Sequence, residues 1–256
     1  LYLGEEAVAT GVCAALKDED YIASTHRGHG HLVARGADIN RMMAEILGKE
    51  TGYSHGKGGS MHIMAMDKGI LGANGIVGGG IPIATGAAYS AKYRETDQVA
   101  ISFMGDSATN EGTFHESINM AAAWKLPCIY VIENNLYGIS VDIRDVTNTP
   151  DLAVRAKAYD IPGVVVDGMD VTAVYEVAVE AVKRAREGKG PTLIECKTYR
   201  WQGHHVGDPA TYRQRRSKTE KEDWRKKCPV TTLRAEMIAS GKVKEAEIDA
   251  LEAKIE

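Results

Sequence analysis

The sequence predicts an α/β fold, a mostly parallel sheet with helices on both faces. Three observations carry that expectation. Apolar, β-prone runs alternate with runs of helical spacing along most of the chain. Residues 99–135 make one complete β-α-β unit, the building block of parallel sheets. A chain of 256 residues, 44% of them hydrophobic, can bury one substantial core as a single large domain.

In order, residues 5–16 read as a small-residue helix with Ala7, Val8, Gly11, Val12 and Ala15 on one face, and residues 21–24 as a short strand. The strand runs into Thr25-His26-Arg27-Gly28-His29-Gly30-His31. These histidines admit a metal site, a solvated basic turn or an anion site, and the two glycines favour a turn over a regular strand. Arg27 is the best anion ligand there, because its planar fork matches phosphate and keeps its charge. After a helix over 39–48 comes a glycine-rich run at 52–62. It lacks the strand, Gly-x-x-x-x-Gly-Lys-Ser/Thr and helix order of a phosphate loop, so it reads as a mobile or partner-facing loop with His62 a lesser candidate. A second glycine-rich run, 72–80, opens an alanine-rich helix up to Tyr93. The dinucleotide fingerprint fails from Gly28 and from Gly78, where Val33 and Ile83 replace the third glycine.

The run 99–104 ends at Gly105-Asp106-Ser107, a helical run covers 113–125, and the strand 128–132 delivers Asn134-Asn135. Taken singly, Gly-Asp-Ser and Asn-Asn are ordinary turn sequences. Parallel strands point the same way, however, so Asp106 and Asn135, 29 residues apart, can sit together at the carboxyl edge where open α/β folds bind ligands. One carboxylate plus one amide oxygen, with room for water and phosphate oxygens, suits Mg²⁺. Next come a buried strand at 164–166, a helix capped by Asp170 and ended by Gly188, and a strand at 192–197 that reaches Tyr199-Arg200-Trp201-Gln202-Gly203-His204. The charged stretch 213–227 reads as a solvated linker to C-terminal helices, which divides the chain into 1–212 and 213–256.

A net charge of −4 argues against nucleic acid or an anionic membrane surface as the main partner. No apolar run approaches 18 residues and no signal sequence is visible, so a soluble, cytoplasmic protein is expected. Cys13, Cys128, Cys196 and Cys228 are scattered, which suits reduced buried thiols better than disulfides or zinc. The chain opens at Leu1 without Met and stops at Glu256 inside a helical pattern, so further sequence is expected at both ends.

The spacing Gly-Asp-x, about thirty residues, Asn-Asn resembles the thiamine diphosphate motif of thiamine-dependent enzymes. Together with residues 25–31, 58–62, 119–127 and Tyr-Arg-x-x-Gly-His at 199–204, it makes residues 1–212 resemble a specific subunit. That subunit is the alpha chain of the thiamine-dependent component of 2-oxo acid dehydrogenase complexes, or of the related acetoin dehydrogenase. The resemblance implies a thiamine diphosphate-binding fold. It places the diphosphate on Arg27, His26 (where the family has an aromatic residue), Gly105, Asp106, Ser107 and Ala108, and the aminopyrimidine on the backbone of Gly75 and Val77. Mg²⁺ would lie on Asp106, Asn135 and the Tyr137 carbonyl. His204 would touch the diphosphate and move protons as the acyl unit reaches the lipoyl group, with His29 assisting. Ser107 stands where the family usually has Gly, and would be strained if that position needs φ > 0.

As partners, the resemblance implies a beta subunit in an α₂β₂ heterotetramer, supplying the glutamate that activates the aminopyrimidine, and a lipoyl-bearing acyltransferase component. The runs 25–31 and 71–80 look closer to acetoin dehydrogenases than to pyruvate enzymes, so acetoin is favoured over pyruvate or a branched-chain 2-oxo acid. Two rivals stay open: a nicotinamide dehydrogenase, which would lack its glycine fingerprint, and a non-catalytic scaffold of the same fold, for which Ser107 is the only support.

Overall fold

The computed structural model describes residues 2–205, 207–208 and 216–255. Among them, six parallel strands form the central sheet: Tyr21–Thr25 (β1), Ile70–Asn74 (β2), Ala100–Gly105 (β3), Cys128–Asn134 (β4), and, after a small antiparallel hairpin of Tyr137–Gly138 (β5) and Val141–Asp142 (β6), Gly163–Asp167 (β7) and Thr192–Lys197 (β8). Their order across the sheet is β2-β1-β3-β4-β8-β7. The helices are Glu6–Ala14 (α1), His29–Ala34 (α2), Ile39–Ile46 (α3), Gly80–Tyr93 (α4), Gly112–Ala123 (α5), the short Ile143–Val146 (α6) and Val171–Arg186 (α7), followed by Lys218–Arg225, Pro229–Ala239 and Glu245–Ile255.

Alternation along β3 shows why the sheet must be covered twice. Ile101 and Phe103 join a core with Val8 and Val12 of α1 and Val174 and Ala178 of α7, while Ala100 and Met104 join a second core with Ala84 and Ala88 of α4 and Ile118 of α5. All seven residues of β4 are buried, as befits a central strand. The helix boundaries follow local chemistry. Asp170 accepts from the amides of Thr172 and Ala173 to cap α7, and Gly188, at φ +70°, ends it. No helix among the described residues is long and apolar enough to cross a membrane.

Three elements depart from the sequence-based expectation. β2 falls in the run expected to be loop, because its Gly72, at φ +143°, interrupts the strand pattern and its pairing with β1 carries a register shift. The histidine run is a turn only as far as Gly28, after which α2 begins at His29. The stretch 213–227 is no simple solvated linker. Residues 213–215 and the boundary at 212/213 lie outside the described residues, but Arg216 is buried with its guanidinium 4.0 Å from the ring centre of Tyr137 and 4.6 Å from that of Tyr199. Trp224, in the helix Lys218–Arg225, stacks on Tyr199 at 5.3 Å. Aromatic surface on the body thus recruits a segment whose composition, Trp224 apart, is polar.

Candidate active site

The chain turns from β1 outward to β2 and then returns to place β3 on the other side of β1. That reversal is the switch point at which open α/β sheets leave a crevice beyond their carboxyl ends. A cavity of about 560 Å³ opens there, within the range of small-molecule sites. Strand β1 delivers His26 and Arg27 to it, β3 delivers Gly105 through Ala108, the segment after β4 delivers Tyr137, and the segment after β8 delivers His204.

One wall is cationic. Arg27 Nη1 lies 3.1 Å from His26 Nε2 and 3.3 Å from His204 Nδ1, and Arg200 Nη1 is also 3.3 Å from that Nδ1. A guanidinium only donates, so His204 Nδ1 accepts, and the neutral ring carries its proton on Nε2. Burial, then Arg27, lowers the pKa of both His26 and His204 to about 4. Arg200 is fully buried and also donates to the carbonyls of Gln202 and Ile139, tying the His204 loop to the β5–β6 hairpin.

The opposite wall is acidic. Gly105 pairs with Glu133 across β3 and β4, so Asp106 and Asn135 leave adjacent strand ends. Burial pushes the Asp106 carboxyl up, while the Ser107 hydroxyl, donating to Oδ2 at 3.1 Å, pulls it down. Asn135 is buried and does not itself line the cavity; it donates from Nδ2 to Glu5 Oε1 at 2.8 Å and accepts, at Oδ1, the amide of the cavity-lining Tyr137 at 3.5 Å. Leu136 and Ile139, on either side of Tyr137, hold φ of 72° and 56°, strained values for branched side chains that cluster at functional sites. Ser107 is not among the residues with positive φ. It is the second residue of a short 3₁₀ turn, Asp106–Asn110, and carries no backbone strain.

Gly75 and Val77 line the cavity from the loop before α4, Val77 being 52% exposed. A Cβ on Gly75 would come 3.0 Å from the His62 ring, so His62 backs that loop. The remaining histidines divide. His31 is fully buried between Ser24 and Glu133 and stacked on Phe103 at 3.8 Å, a core residue. His29 does not line the cavity; its Nε2 meets the carbonyl and hydroxyl of Ser60 at 3.1 and 3.2 Å. The structure therefore does not bring His29 to His204, because the onset of α2 at residue 29 turns it toward the 52–62 loop. Among the described residues no three His, Cys, Asp or Glu side chains converge as a metal cluster, so the histidine run forms no such site.

The model of the dehydrogenase E1 component family matches residues 1–256. The chain belongs to that family. Among its relatives, the alpha subunit of acetoin:2,6-dichlorophenolindophenol oxidoreductase from Bacillus subtilis (strain 168) is 57% identical over 86% of this chain and 66% of its own length. The Cupriavidus necator subunit of the same name is 55% identical over 83% of this chain and 64% of its own length. Pyruvate dehydrogenase E1 component subunit alpha-3, chloroplastic, from Arabidopsis thaliana is 44% identical over all of this chain and 60% of its own length. The matched stretch thus spans 60–66% of the length of these three relatives.

Within this E1 fold, two residues beside the cavity make contacts that sequence spacing does not signal. Arg200 lies in the quoted Tyr-Arg-x-x-Gly-His run, yet only the folded loop shows it sharing His204 with Arg27. Glu5 sits at the start of α1, 130 residues from Asn135, and spacing carries no signal for that contact.

Proposed function

We propose that this chain is the diphosphate-binding alpha subunit of a thiamine diphosphate- and Mg²⁺-dependent dehydrogenase. The enzyme cleaves acetoin, in preference to decarboxylating pyruvate, and passes the acyl unit to lipoamide. The observation that carries this reading is the meeting of Arg27, His204 and Asp106 in one switch-point cavity of an E1 chain. The donor set fits the cofactor. Arg27 Nε is buried without a hydrogen bond, and a buried carboxylate raised by burial faces the same space, so an anion and a cation each have a complementary wall.

In this reading Arg27, His26 and His204 hold the diphosphate together with the backbone of Gly105, Ser107 and Ala108. Asp106, Asn135 and the Tyr137 carbonyl hold Mg²⁺, and Gly75 and Val77 seat the aminopyrimidine. Thiamine diphosphate, when bound, supplies the carbanion-stabilising chemistry. His204 contributes an Nε2–H donor whose tautomer Arg27 and Arg200 set, placing a transferable proton at the cavity. A beta subunit supplies the carboxylate that activates the aminopyrimidine, since Glu5 and Glu133 are buried in the hydrogen bonds of Asn135, Tyr2 and His31. A lipoyl-bearing acyltransferase receives the product. The relatives named for acetoin are 57% and 55% identical against 44% for the pyruvate relative, which supports acetoin.

The test is calorimetry of the full-length chain, alone and with its beta subunit, titrated with thiamine diphosphate with and without Mg²⁺. Dye reduction is then measured with acetoin and with pyruvate. Mg²⁺-dependent binding, and turnover only with the partner, are expected. Absence of binding in the assembled protein overturns the reading, and exclusive use of pyruvate overturns the substrate choice. Turnover by the chain alone would point to a carboxylate of this chain, first Glu111, which with Asp106 lines the cavity.

A further inference from the structure

Glu5 is the residue immediately before α1 and is 1% exposed, yet its side chain makes no cap hydrogen bond to that helix. Its carboxylate meets both walls of the site. Oε1 accepts from Asn135 Nδ2 at 2.8 Å, and Oε2 lies 3.8 Å from Arg27 Nε, too far for a hydrogen bond. A primary amide has a donor end and an acceptor end, and only its oxygen can face a cation. Glu5 takes the donor end, while the Tyr137 backbone N–H, which can only donate, takes Oδ1 at the other. The two contacts leave the Asn135 amide one orientation.

We infer that Glu5 is a positioning residue that holds the Asn135 amide with Oδ1, and not its NH₂ group, turned toward the divalent cation. This rests on the Mg²⁺ assignment of the proposed function and adds to it a residue that touches neither metal nor substrate. A flipped amide would aim two N–H groups at the cation and strip the site of one of its oxygens. Groups that orient a metal ligand in this way carry roughly ten- to a hundredfold in metal affinity.

The experiment is a double-mutant cycle between Glu5 and Asn135 in the full-length chain assembled with its partner subunit. Its readout is the Mg²⁺ concentration at half-maximal thiamine diphosphate binding, measured by calorimetry without substrate. Glu5→Asp keeps the charge beside Arg27 but is one methylene, ~1.5 Å, too short to reach Asn135. It should weaken Mg²⁺ by about tenfold in the wild-type background, and by no more than about twofold when Asn135→Ala is already present. Equal losses in both backgrounds, or no loss in either, overturn the inference. Should Glu5→Asp not fold, the same cycle is run with Glu5→Ala, which also removes the acceptor, and failure of both to fold makes Glu5 a folding residue and overturns it as well. A wild-type protein that binds no Mg²⁺-dependent thiamine diphosphate would instead overturn the proposed function itself.

Discussion

Two buried carboxylates, Glu45 and Glu5, look alike in burial and differ in what surrounds them. Glu45, in α3, accepts from the backbone amides of Ser54, Gly56, Gly58 and Gly59 at 2.7, 2.8, 2.6 and 3.0 Å. Burial works against its charge, but those four amides hold its pKa below the ordinary carboxylate value. Glu5 accepts one side-chain amide, leaves Oε2 without a hydrogen bond, and is pushed up by burial against the pull of Arg27. The fully satisfied carboxylate organises a loop. The under-satisfied one lies beside Arg27 and Asn135, which the proposed function assigns to cofactor and metal, and Asp106, assigned there too, is likewise raised by burial. Satisfaction of buried polar groups, more than burial, separates architecture from function here.

The largest expected effect tests the functional side of that contrast. Asp106→Ala should weaken Mg²⁺-dependent thiamine diphosphate binding by on the order of a thousandfold, since a unit charge ~4 Å from a cation contributes about 4 kcal/mol at an effective ε of ~20. Its urea midpoint should hold or rise, because a desolvated carboxylate is removed. Calorimetry paired with denaturation reads both, and unchanged affinity would remove Asp106 from the metal site. His204→Ala should act next most strongly, keeping cofactor affinity within about tenfold while acyl transfer to lipoamide falls by roughly a hundredfold or more. Equal losses in binding and turnover would make its role electrostatic only. His204 and His26 also carry a pH signature. Each is held at about 4 against about 6.5 when unfolded, so the unfolded chain binds more protons between those values, and stability should fall as pH drops through that window. Replacing both by Gln should flatten that slope in acid denaturation curves.

Glu45→Ala tests the architectural side. Four amides lose their acceptor, a cost of about 3 kcal/mol in urea unfolding, with cofactor affinity of the folded protein changed less than about threefold. The depressed pKa sets the sign. The contribution of Glu45 is present above the unfolded carboxylate value and is lost as pH falls through the lower folded value, and Glu45→Gln should lack that loss. A cofactor-affinity loss as large as that of Asp106→Ala would break the distinction between the two carboxylates.

Much of this was legible along the chain, for reasons that Glu45 and Glu5 illustrate. Asp106 and Asn135 flank a single β-α-β unit, so strand direction alone brings them near each other, and Arg27 and His204 lie in runs whose residue types match a known motif. The glycines of the 52–62 run suggest a mobile or partner-facing loop and give no hint of the carboxylate that clamps it from α3. The charged neighbours of Arg216 in the sequence imply a solvated residue, whereas the faces of Tyr137 and Tyr199 bury it. The histidine run suggests His29 at the site because a run of residues carries no rotation, and the start of α2 supplies one. Contacts across 130 residues, such as Glu5 with Asn135, arise from packing alone.

The smallest effect concerns Ser107, the departure from the family pattern. Glycine is required where φ is positive, and Ser107 does not have positive φ. Its hydroxyl donates to Asp106, and a Cβ on Gly138 would come 2.1 Å from its Oγ, so the serine fits a space that Gly138 leaves open. Ser107→Gly therefore relieves no strain, removes one hydrogen bond to a buried carboxylate and adds freedom to the unfolded chain. It should cost about 0.5–1.5 kcal/mol in urea unfolding and change Mg²⁺-dependent cofactor affinity by less than about threefold. Stabilisation by about 1 kcal/mol, or a tenfold gain in affinity, would show that the serine does strain the diphosphate-facing turn. Ser107 would then be evidence for a scaffold that has begun to lose its chemistry, and the contrast drawn from Glu45 and Glu5 would not extend to the backbone of the site.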